Sequence, residues 1–111
     1  MAYDEELAEG VRELIQTEDG LSEVRAFGGL AFLIDGNMAV SASGQGGLMV
    51  RVNPAETEAL LAEPHVRPFE MRGRRMKGWL RVDIEGLQSE RQLESWVARG
   101  VAYARSLPPK R

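Results

Sequence analysis

The dipeptide Asp35-Gly36 constrains this chain more than any other feature. It sits between two apolar runs, Leu30-Ala31-Phe32-Leu33-Ile34 and Met38-Ala39-Val40-Ser41-Ala42. The tightest hairpin turn needs positive φ at both central residues, and Asp-Gly tolerates that well. The pair therefore predicts two antiparallel strands joined directly. A second turn follows at Gly44-Gln45-Gly46-Gly47, after which Leu48, Val50 and Val52 alternate with Met49 and Arg51. Upstream, Val24 to Phe27 reads as a short strand, joined to the run at Leu30 through Gly28-Gly29.

Helical spacing brackets this β region. Asp4 is a cap, Glu5 and Glu6 suit the first turn of a helix, and Leu7, Ala8, Val11, Leu14 and Ile15 form one apolar stripe. Asp19-Gly20 is the expected stop. Asn53-Pro54-Ala55-Glu56 starts a short helix that ends before Pro64. Residues 65–76 contain Pro68, Gly73 and many arginines, and read as an irregular strand plus a turn; Gly78 to Asp83 is a clearer strand. Ser89 and Gln92 form a capping box before a helix marked by Leu93, Trp96, Val97, Val101 and Ala104, which Pro108-Pro109 stops. The order is α-β-β-β-β-α-β-β-α. It implies an α+β fold: an antiparallel sheet with helices packed mainly on one face.

The chain has 111 residues, enough for one domain over 1–111 that buries roughly two-thirds of its unfolded surface. There is no cysteine, so thiol nucleophiles, disulfides and thiolate metal sites are excluded. The acidic start, Met1-Ala2-Tyr3-Asp4-Glu5-Glu6, is unlike a signal peptide, and no apolar run approaches the length of a membrane span. A cytoplasmic location without membrane association is expected. Charge is divided unevenly. Residues 1–64 hold twelve acids and three bases, and residues 65–111 hold five acids and eleven bases. Such halves can attract one another within the fold or between subunits.

Two stretches invite a binding role. In Arg25-Ala26-Phe27-Gly28-Gly29, backbone N–H groups beside an arginine could cradle an anion; equally, the glycines could form a bend between strands. The second stretch holds Arg67, Arg72, Arg74, Arg75, Lys77 and Arg81 with only Glu70 opposing. Strict alternation puts Lys77, Trp79 and Arg81 on one face and Gly78, Leu80 and Val82 on the other. A base–aromatic–base stripe suits a single nucleic-acid strand, a subunit interface, or a solvated face where basic stems cover Trp79. Arg51 joins these as a candidate anion contact. His65, the only histidine, has Pro64 and Val66 as neighbours and no evident orienting partner. Glu5 and Glu9 are one helical turn apart, an arrangement that dipole complementarity explains without a metal. No serine lies in a Gly-x-Ser-x-Gly elbow.

Several segments resemble the TfoX (Sxy) N-terminal domain family. They are Arg25-Ala26-Phe27-Gly28-Gly29 with Leu30-Ala31-Phe32, Asp35-Gly36-Asn37-Met38, Leu48-Met49-Val50-Arg51-Val52, His65-Val66-Arg67-Pro68, Met76-Lys77-Gly78-Trp79, and the ending Ala104-Arg105-Ser106-Leu107-Pro108. Ala26 departs from the family's usual methionine, and Val40 lies near a position often filled by cysteine. The resemblance implies a bacterial α+β domain similar to secretion-chaperone-like folds. Long family members regulate competence transcription beside a cyclic-AMP receptor protein and carry a further C-terminal domain; this chain resembles the short stand-alone members. No catalytic residues carry over from the family.

The expectation is a non-enzymatic regulatory or protein-interaction domain with no cofactor and no metal. Its protein partner is unnamed by the sequence, and a homodimer through the sheet face or the C-terminal helix is one form. The alternative is a nucleic-acid or anionic-ligand module. Arg25, Phe27, Gly28, Gly29, Arg51, Lys77, Trp79 and Arg81 are the candidate binding residues.

Overall fold

A computed structural model describes residues 3–26 and 28–110. Helix α1 spans Glu5–Ile15, and the Asp4 carboxylate caps it by accepting the N–H groups of Glu6 and Leu7 at 3.0 and 3.1 Å. The helix stops short of Asp19-Gly20; Gly20, at φ +74°, instead shapes the approach to the first strand. Strands β1 (Leu21–Ala26), β2 (Gly29–Ile34), β3 (Asn37–Ala42) and β4 (Leu48–Arg51) follow as an antiparallel meander. Asp35 and Gly36 take φ +51° and +84°, the positive pair that the tight hairpin requires.

A 3-10 turn (Pro54–Glu56), capped by Asn53, leads into the four-residue helix α2 (Thr57–Leu60). The stretch expected to be irregular is a second hairpin, β5 (Val66–Met71) and β6 (Arg74–Val82). Arg72-Gly73 turns it at φ +55° and +77°. The strand, turn and strand read from this region are thus found; Arg-Gly is a weaker turn signal than Asp-Gly, and β6 begins at Arg74 rather than at Gly78. A 3-10 turn at Ile84–Leu87 precedes α3 (Glu90–Ser106). The capping box is present: Ser89 Oγ accepts from the Gln92 N–H at 3.1 Å, and Gln92 Oε1 accepts from the Ser89 N–H at 3.0 Å.

The six strands form one sheet in the order β1-β2-β3-β4-β6-β5. Strand β6 lies between β4 and β5, so β4–β6 pairing joins the β1–β4 meander to the β5–β6 hairpin. The element order and the α+β class match the sequence expectation. One face of the sheet supplies Phe32, Ile34, Val40, Leu48, Val50, Leu80 and Val82 to a core completed by Val11 of α1 and Val97, Val101 and Ala104 of α3. Leu80 and Val82 are buried there, as their strand alternation requires.

Helix α3 lies close on β3 because Gly100 has no side chain: a Cβ there would stand 2.5 Å from the Ala39 carbonyl oxygen and 2.8 Å from Val40 Cγ1. Beyond α3 the chain returns to the β2–β3 turn. The Lys110 N–H donates to the Asp35 carbonyl at 2.7 Å, and Asn37 Nδ2 donates to the Pro108 carbonyl at 2.9 Å. No helix among the described residues is long and apolar enough to cross a membrane.

Candidate functional site

Directly paired residues in an antiparallel ladder share a face, so the register assigns every strand residue to one side. Met49 pairs with Arg81, Arg51 with Trp79, Ser41 with Met49, and Arg67 with Arg81. These residues therefore occupy the face opposite the helices. Between β5 and β6 the register slips at Pro68/Glu70, and the slip leaves the Phe69 ring 6.4 Å from the Trp79 ring, tilted by 51°.

A hollow of about 520 Å³ lies on this open face. Ser41 and Met49 line its base, and the β3–β4 loop adds Ser43 and Gln45 on one side. Pro68, Phe69 and Glu70 close the other side, and Arg81 borders it from β6. The Arg81 guanidinium is held in place: one nitrogen donates to Gln45 Oε1 at 2.7 Å and another to the Gly46 carbonyl at 3.4 Å. Arg67, opposite it, donates to Asp83 at 2.9 Å. That ion pair offsets the repulsion of two arginines set directly across from each other.

Arg51, the last residue of β4, is half-buried and lies outside the lining of the hollow. Its guanidinium carbon is 5.0 Å from the Trp79 ring centroid and 5.8 Å from that of Tyr103 on α3. The ring faces favour the cation electrostatically. Among the described residues Arg51 makes no ion pair, so its donors remain open to an incoming acceptor.

The structure brings together three of the residues singled out from sequence: Arg51, Trp79 and Arg81. Lys77 does not follow them by alternation. Gly78 has φ +88° and forms a bulge, with its N–H donating to the buried Thr57 hydroxyl at 2.9 Å and its carbonyl accepting from Val52 at 2.8 Å. A residue at positive φ breaks the extended geometry that strict alternation assumes. Lys77 is exposed beyond that bulge.

Arg25 is on the other side of the sheet and at its far end. It pairs with core-facing Leu30 on edge strand β1, four strands from β6, or roughly 19 Å away. Gly28, at φ +76°, is exposed in the β1–β2 connection. Gly29 is buried against the Ala42 carbonyl, where a Cβ has no room. Both glycines thus have a structural reason to be there. Phe27 lies outside the described residues.

Phe69, Ser41, Gln45 and Tyr103 were not singled out from the sequence. Met49 was legible, since it alternates with the core residues Leu48 and Val50. Phe69 was hidden by the register slip, Gln45 reaches the face only through tertiary contact, and Tyr103, on α3, meets Arg51 from the helix side.

His65 has φ +66° and is exposed, and its imidazole makes no hydrogen bond among the described residues. Glu9 on α1 is engaged by Arg12 at 2.8 Å. Among the described residues no three His, Asp or Glu side chains gather at metal-ligating distance.

Comparison with known proteins adds one finding. Neither a curated relative nor a solved structure matches the chain. The family model for the TfoX N-terminal domain matches residues 13–104, a span running from α1 to the last turn of α3 and containing every strand of the sheet. The chain belongs to the TfoX N-terminal domain family.

Proposed function

We propose that this chain is a non-enzymatic interaction domain that binds a regulatory protein partner on the open face of its sheet. One observation carries the reading: the face left uncovered by helices holds a hollow lined by Phe69, Met49 and Arg81, with the Trp79 ring 6.4 Å from that of Phe69 and Trp79 itself paired with Arg51 of β4. Aromatic, methionine and arginine side chains are the types enriched at protein interfaces. Arg81 is pre-positioned by Gln45, which lowers the entropy lost when it meets an acceptor. Met49 supplies an adaptable apolar floor.

The test is comparative capture from the source cells with tagged native protein, a Trp79→Ala/Arg51→Ala double variant, and a Glu94→Ala variant altered on exposed α3. A partner retained by native protein and Glu94→Ala but lost by the double variant supports the reading. A partner lost by Glu94→Ala alone moves recognition to the helices.

A second reading rests on Arg51, whose guanidinium faces no carboxylate among the described residues. An anionic ligand, nucleic acid included, could take that position. Its mark would be binding of a labelled single strand at low salt that falls steeply as salt rises. Absence of binding at low salt removes it.

A further inference from the structure

We propose that two copies of this chain join edge to edge through β1, continuing one antiparallel sheet across a two-fold axis at Val24. The two edges of the sheet are unlike. On β5, Pro68 has no N–H to offer, the register slips beside it, and Arg67 and Glu70 are exposed. These are the devices that blunt an edge against pairing. Strand β1 has neither a proline nor a register slip, and its two exposed charges, Glu23 and Arg25, are of opposite sign. It pairs with β2 without interruption from Leu21 to Ala26, and Val24 is 47% exposed, the most exposed large apolar side chain among the described residues.

Backbone parity fixes how a partner can add. The Gly20 carbonyl accepts the Asp35 N–H at 3.0 Å, so the even-numbered residues of β1 direct their backbone groups at β2. Leu21, Glu23 and Arg25 therefore direct theirs outward, where no strand lies. A two-fold at Glu23 would oppose two carboxylates, and one at Arg25 would oppose two guanidiniums. A two-fold at Val24 sets Glu23 against the partner's Arg25 and Arg25 against the partner's Glu23. In that register each of these pairs exchanges both backbone hydrogen bonds, and Val24 meets the partner's Val24 at the close, non-hydrogen-bonded position.

The charges fit the same register. Glu23 is bound by Arg12 at 2.7 and 2.9 Å, which holds its carboxylate over the helix side of the sheet. A carboxylate has lone pairs to spare for a second arginine. Arg25 lies on that same side, is exposed, and makes no ion pair among the described residues. The partner's Glu23 would supply its acceptor. This differs from a homodimer built on the sheet face or α3. Because the axis is perpendicular to the sheet, both open faces end on the same side, leaving them free for a partner. The inference stands independently of what binds there.

The chain has no cysteine, so single-cysteine variants report the register directly. Opposed Val24 Cα atoms would lie about 4.5 Å apart, within disulfide reach. Ser22 would oppose the partner's Ala26, leaving the two Ser22 positions roughly 13 Å apart. Mild oxidation should convert Val24→Cys to a linked dimer and leave Ser22→Cys unlinked. By sedimentation, Arg25→Glu and Glu23→Arg should each be monomeric, and mixing them should restore a heterodimer of complementary edges. A Val24→Cys variant that stays unlinked, equal linking at Ser22→Cys, or a mixture that stays monomeric would overturn the proposal.

Discussion

Replacing Gly100 with alanine tests how α3 is seated. In an isolated helix the change favours folding by about 1 kcal/mol, because alanine loses less backbone entropy. Here the new Cβ would stand 2.5 Å from the Ala39 carbonyl oxygen and 2.8 Å from Val40 Cγ1. The first obstacle is backbone inside a paired strand, which cannot rotate away. Helix α3 must withdraw by roughly 0.5–1 Å, and a gap of that size forfeits about a quarter to a half of each dispersion contact along it. Val97, Val101 and Ala104 would all lose contact with the sheet. Overpacking of this kind costs about 1–3 kcal/mol, and a backbone obstacle belongs at the upper end. The net expectation is a loss of about 2 kcal/mol. With an unfolding entropy of ~2.1 cal/mol/K per residue, a chain this long should melt roughly 9 °C lower. Gly10→Ala is the control, because its Cβ would meet only the end of the flexible Leu93 side chain at 3.0 Å. It should melt at or above the native temperature. Circular-dichroism melts of the three proteins decide the matter. A Gly100→Ala protein as stable as the native one would refute the close seating of α3.

Three further outcomes follow from the same contacts. Thr57→Val should cost about 1–3 kcal/mol in urea melts, since it leaves the buried Gly78 N–H without its acceptor, whereas Thr57→Ser should retain most of the stability. The Arg12 hydrogen bond holds the Glu23 carboxyl below its ordinary range, against a smaller opposing effect of burial. The stability it adds is thus complete above the unfolded value near about pH 4.3 and is lost as pH falls through the lower folded value. Native protein should exceed Glu23→Gln in urea midpoint at neutral pH, with the gap closing as pH falls below about 4; a gap that widens in acid contradicts the sign. Leu80→Ala should cost about 2–5 kcal/mol, and Trp79→Ala, truncated on the side open to water, clearly less; the reverse order would mean the two faces are exchanged.

Much of this fold was legible because local signals agreed with one another. Asp35-Gly36, the Asp4 and Ser89 caps and the alternation through Leu48, Val50 and Val52 each point to one structure, and each is found. The failures have specific causes. Arg25 and Arg81 both looked like anion contacts, but strand order is not written in local pattern, and it sends them to opposite faces and distant strands. Lys77 was grouped with Trp79 by a period of two that Gly78 interrupts. Glycine within a strand run was the available warning of a bulge. The site's shape depends on the Phe69 slip and on Gln45 reaching back to Arg81, contacts that no sequence period encodes.

Site-specific photocrosslinking in the source cells addresses recognition by the open face most directly. A benzophenone side chain replacing Phe69 beside Trp79 should capture a discrete partner, and the same group replacing exposed Ala98 on α3 should capture none. Adducts from Ala98 with silence at Phe69 would contradict the account.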